Sequence, residues 1–136
     1  MSAISHHAAL IYTMVLVSAA DNEMTDAEMR TMGETINFLP VFADYDDKLL
    51  TDTVAGCADL LDEDDGLESV FHLIKEALPG KLRETAYALA CDVVAVDGEW
   101  HQEELRMLEM IRHELRIDRL TAAAIERGTR ARFAKA

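Results

Sequence analysis

Asp97-Gly98-Glu99-Trp100-His101-Gln102-Glu103-Glu104 repeats, in its acidic positions, the earlier segment Asp21-Asn22-Glu23-Met24-Thr25-Asp26-Ala27-Glu28. An offset of 76 positions, from 21 to 97, places Val17 on Val93, Ala19 on Ala95, Asp21 on Asp97, Glu23 on Glu99, Glu28 on Glu104 and Arg30 on Arg106. Asn22, Met29 and Met32 then fall on Gly98, Leu105 and Leu108. About one identity would arise by chance in so short a window, so the chain reads as a duplicated supersecondary unit.

Each copy begins with an apolar run at helical spacing. Residues from about Ile4 to Ala20 read as a helix buried on most sides, ending at Asp21-Asn22. Thr25-Asp26-Ala27-Glu28 fits a capping box, in which the Thr hydroxyl and the Glu carboxylate satisfy amides at the start of the next helix. That helix runs to about Leu39 with Met29, Met32, Ile36 and Leu39 as its inward stripe, and Pro40 stops it. The second copy gives a helix over about 81–96, a turn at Asp97-Gly98 with Gly98 in the left-handed conformation, and a helix over about 102–115 with the stripe Leu105, Leu108, Ile111 and Leu115. Trp100 is expected to cover the place where these two helices part.

Between the copies, helices are expected over about 44–61, carrying Leu50, Val54, Cys57 and Leu61, and over about 67–78, carrying Leu67, Val70, Phe71, Ile74 and Leu78. A last helix covers about 118–133. The expectation is therefore an all-α, single-domain bundle of about seven helices over residues 1–136. Repeat one lies at about 4–39, the middle pair at 44–78, repeat two at 81–115 and the C-terminal helix at 118–133.

Composition agrees. Half of the 136 residues are hydrophobic, only two are proline and six glycine, and good helix formers abound. The net charge of −13 repels nucleic-acid phosphates and anionic lipid and suits cations or a basic partner. Ten acidic residues lie between Asp44 and Glu68 against the single Lys48, whereas residues 117–136 carry five basic and two acidic side chains, a net +3 that leaves −16 on the remainder. The basic end is expected to dock electrostatically on this acidic middle, within one subunit or across a dimer. Cys57 and Cys91 form no CxxC pair and read as reduced core thiols. The thirteen apolar-rich residues from Ala8 to Ala20 are too short to span a bilayer. No Lys or Arg precedes them, and their counterpart at 84–96 lies deep in the chain, so they do not read as a signal peptide.

Three carboxylates gather at each hairpin corner: Asp21, Glu23 and Glu28 in the first copy, and Asp97, Glu99 and Glu104 in the second. A carboxylate at a helix C-terminus meets the negative end of the dipole, which a hard cation such as Ca²⁺ or Mg²⁺ would offset. Helix capping and turn formation account for the same residues without a metal, more fully for Glu28, whose capping partner is Thr25, than for Glu104, whose counterpart partner is His101. The sequence lacks the EF-hand spacing, paired Glu-x-x-His, HExxH, GxSxG, a P-loop and GxGxxG, so no residue set nominates an enzyme. His6 and His7 read as solvent-facing, and Asp92 as either exposed at an edge or paired inside, with the edge favoured because unpaired burial is costly.

The doubled Ala-x-Asp-(Gly/Asn)-Glu-x-x-x-x-Glu motif, on helical hairpins with a helical pair between them, resembles the TerB-like family of tellurite-resistance proteins over roughly Ala8 to Leu115. The resemblance implies an all-helical cytoplasmic domain of a stress-response system with membrane-bound protein partners. It also implies metal binding at Asp21, Glu23, Glu28, Asp97, Glu99 and Glu104, with Asn22 standing where the family has Gly. The resulting expectation is a non-enzymatic interaction module with a protein partner, no nucleic acid, no direct membrane insertion and a homodimer as one form. The alternative is a Ca²⁺ or Mg²⁺ sensor or buffer.

Overall fold

The computed structural model describes residues 3–20, 24–96 and 98–136, and among them there are seven α-helices and no strand. In chain order these are α1 (His6–Ala19), α2 (Asp26–Phe38), α3 (Leu50–Leu61), α4 (Gly66–Ala77), α5 (Gly80–Ala95), α6 (Gln102–Glu114) and α7 (Arg119–Arg132). The all-helical reading of the sequence holds, and the boundaries differ from expectation chiefly at α3.

α1 is the centre. From Ala9 to Ser18 every residue is buried, so this helix has no solvent face and must be surrounded. α5 packs along it, and α3, α4 and α6 complete the shell. α5 supplies Ala86, Tyr87, Leu89, Ala90, Cys91, Val93, Val94 and Ala95 to the core, and its outer sides carry α2 and α7. Small residues at Ala86, Ala90 and Ala95 allow a neighbouring helix to approach closely, at interaxial distances of about 8–10 Å.

The expected helix from Asp44 begins later. Asp46 turns its carboxylate to the Lys48 amide at 3.0 Å, which closes a short 3₁₀ turn over Asp47–Leu49 before α3 starts at Leu50. An Asp side chain competing for nearby amides favours such a turn over a regular helix. Just upstream, a second 3₁₀ turn over Pro40–Phe42 is anchored by His7. The expectation that His7 faces solvent is overturned: it is buried, its Nε2 lies 2.8 Å from the Val41 carbonyl and 3.1 Å from Asp44 Oδ1, and its ring stacks on Phe42. That contact bridges 34 residues of sequence and ties the start of α1 to the loop after α2.

The stripe of α6 keeps Leu108, Ile111 and Leu115 as expected and departs only at its first position. Leu105 is exposed, and the inward residues are Glu104, Leu108, Ile111 and Leu115, at spacings of four, three and four. Because successive residues on a helix point about 100° apart, burying Glu104 at the first turn carries Leu105 outward. α2 behaves alike, with Glu28, Met32 and Ile36 buried and Met29 only half-buried.

Candidate functional site at the hairpin corners

Glu28 and Glu104 are each 1 % exposed, among the most deeply buried large side chains in the molecule. In the first hairpin the capping box forms in full: the Glu28 amide donates to Thr25 Oγ1 at 3.1 Å, and the Thr25 amide donates to Glu28 Oε1 at 2.9 Å. In the second, the His101 amide donates to Glu104 Oε1 at 3.3 Å, the same reach-back with a longer bond. Gly98 has φ of 80°, the left-handed conformation expected of it, which allows the chain to turn out of α5 without a Cβ clash. Glu99 stands apart from this buried layer, its side chain 79 % exposed and 3.8 Å from His101 Nε2.

Of the six expected metal positions, Glu28 and Glu104 are thus placed inside the hairpin corners and Glu99 on the surface, while Asp21, Glu23 and Asp97 lie outside the described residues. Buried carboxylate oxygens are donors of the kind Ca²⁺ and Mg²⁺ take. Among the described residues no three His, Cys, Asp or Glu side chains come together as a metal-binding group.

α7 supplies what surrounds the second corner. The Arg130 guanidinium lies 3.9 Å from the centre of the Trp100 ring, a cation–π contact that holds the indole over the parting of α5 and α6. A recess of about 410 Å³ beside it is lined by Glu99, Trp100, Arg130 and Lys135. Beside Arg130 on α7, Arg132 and Thr129 bond the Asp92 carboxylate of α5. Asp92 is therefore partly buried and paired, the alternative to the favoured exposed edge, because a charge at 23 % side-chain exposure is tolerable only with such donors. Burial outweighs these partners and raises its pKa above the usual carboxylate range. The Tyr87 hydroxyl donates to Glu126 at 2.7 Å, and burial and this bond push the phenol up. The basic end of the chain is thus docked on α5 of its own subunit and not on the acidic middle where the charge balance placed it, because Asp92 of α5 offers a half-buried carboxylate that needs donors.

Sequence reasoning finds the carboxylates through their recurrence. It cannot find His7, Arg130 or Arg132, since each acts on a residue about 30 or more positions away and no local spacing marks such a contact.

The family model for tellurite resistance protein TerB matches residues 7–127. The chain belongs to the TerB family. The match runs from the first turn of α1 into α7, so it takes in both hairpin corners and the acidic helices between them. No curated protein and no solved structure matches the chain. TerB membership ties the protein to tellurite resistance. As for membranes, no described helix is long and apolar enough to cross one.

Proposed function

We propose that this TerB-family chain is a non-enzymatic, cytoplasmic interaction module of a tellurite-resistance-type stress response, folding as one domain of two hairpin copies around a helical pair, and that it docks a basic protein partner. The observation that carries this reading is the exposed acidic surface of the central region. All ten acidic residues from Asp44 to Glu68 are exposed, and Asp62, Glu63, Asp64 and Asp65 follow one another in the connection from α3 to α4. A concentration of one sign steers an oppositely charged partner and speeds its association. The same sign disfavours nucleic acid and the anionic face of a membrane, so a membrane-associated partner would be met through its protein part.

The test is capture of partners from the native cell on the tagged chain, compared with the double variant Asp62→Lys, Asp64→Lys. The reading expects one basic protein held at about 50 mM salt, released at about 500 mM, and lost in the variant. A captured set that is the same for both chains at both salt concentrations contradicts it.

A second reading, a Ca²⁺ or Mg²⁺ sensor or buffer, draws on the recurrence of acidic positions at the two corners, where Glu28 and Glu104 bring carboxylate oxygens of the kind these ions take.

A further inference from the structure

α2 ends in Phe38, whose ring is 84 % exposed. It stands on the rim of an open groove of about 620 Å³ between α2, α5 and the end of α7, lined by Leu39, Ala88, Leu89 and Phe133. A large exposed ring next to an apolar groove places a knob and a hole on one face. We propose that this face joins two copies of the chain about a two-fold axis, with Phe38 of each copy seated in the groove of the other. Such a contact is self-complementary: it is made twice and leaves no further knob to propagate a chain of subunits.

Charge decides for a second copy over a foreign helix. At −13 two copies repel one another over most of their surface, and the exception is the end of α7, where residues 117–136 sum to +3. That end borders the groove through Arg132. The Arg132 side chain remains 58 % exposed while it holds Asp92, so it has room for another carboxylate. Glu34, one turn before Phe38 on α2, also lines the groove. Seating Phe38 in the opposite groove carries Glu34 toward the basic end of α7 in the other copy, and symmetry repeats the pairing. The groove's acidic and basic rims are therefore answered by the molecule's own surface.

The mass of the purified full-length chain, followed by sedimentation or light scattering from about 1 μM to 1 mM, tests this. The parent is expected to pass from monomer to dimer. Phe38→Asp should raise the dimer dissociation constant about thirtyfold or more, with unchanged helical circular dichroism because the ring is exposed. Glu34→Arg should weaken the dimer as well, by a larger factor at low salt than at high. A parent that stays monomeric throughout overturns the proposal, as does a dimer indifferent to both substitutions. A monomeric parent whose groove takes up an apolar helical peptide, with binding lost in Phe38→Asp, overturns it in favour of a foreign occupant. These masses are independent of whether the acidic surface captures a basic partner.

Discussion

At the level of single residues, Asp92 and Glu104 are carboxylates of the second hairpin buried to different degrees. Asp92 has its pKa raised, first by burial, with Arg132 and Thr129 only partly offsetting the cost. A raised folded-state pKa means that the protonated form is the better tolerated one, so the stability linked to this group is present in full below the unfolded pKa and is lost as pH rises through the folded pKa. Asp92→Asn, which cannot ionise, should therefore gain stability relative to the parent between about pH 3 and pH 7. Urea unfolding of both chains across that range checks it, and a gap that stays constant or moves the other way would falsify the claim. Glu104 is held at the helix start by the His101 amide, and Glu104→Ala should cost about 1 kcal/mol in thermal or urea unfolding. If the corner also holds a cation, Ca²⁺ should raise the parent's melting temperature as RT ln(1 + [Ca²⁺]/Kd) dictates, and Glu104→Gln should abolish the rise. A flat parent response up to about millimolar ion sinks the metal reading at this site.

The elements make sharper predictions, because two glycines in similar settings should respond with opposite sign. A Cβ at Gly66, the first residue of α4, would come within 2.2 Å of the Leu60 carbonyl oxygen and 2.8 Å of that of Leu61. Backbone must move to admit it, so Gly66→Ala should destabilise by about 1–3 kcal/mol. At Gly33, in the interior of α2, an added Cβ would meet nothing within 4 Å, and Gly33→Ala should stabilise by about 0.5–1 kcal/mol. Chemical denaturation of both variants settles the pair. Neither sign is legible in the sequence, where both glycines simply sit at or in a helix. What is legible there follows from local rules. The apolar continuity of α1 announces a helix without a solvent face, and Thr25 with Glu28 announces the capping box. The 3₁₀ turn before α3 escapes those rules because Asp46 diverts an amide, a choice that helical periodicity does not encode. Leu105 departs from its expected inward place because an ionisable residue, Glu104, holds the position that hydrophobicity alone would assign to leucine. The site carries the same lesson: recurrence points to the carboxylates, but the cations of α7 that surround the second corner reach it only through tertiary packing.

Over the whole molecule, the imbalance of charge should appear as salt-dependent stability. With a net charge of −13 and ten exposed acidic residues from Asp44 to Glu68, self-repulsion opposes the compact state. Raising salt from about 10 mM to 500 mM should therefore raise the melting temperature, although it weakens the Arg132–Asp92 pair. Calorimetry at several salt concentrations would sink this expectation by showing a fall. α7 also packs along α5 and buries Thr129, so removing residues 127–136 uncovers part of α5 and should lower stability even at high salt. Finally, Cys57 in α3 and Cys91 in α5 are both fully buried, with burial pushing each thiol up to about 12. At neutral pH the nucleophilic thiolate is then about five orders of magnitude scarcer than the thiol, and reagent cannot reach it while the helices stay packed. Alkylation of these two positions consequently keeps time with the opening of the core, so the folded protein carries its own built-in clock for unfolding, readable by mass spectrometry without any label being introduced.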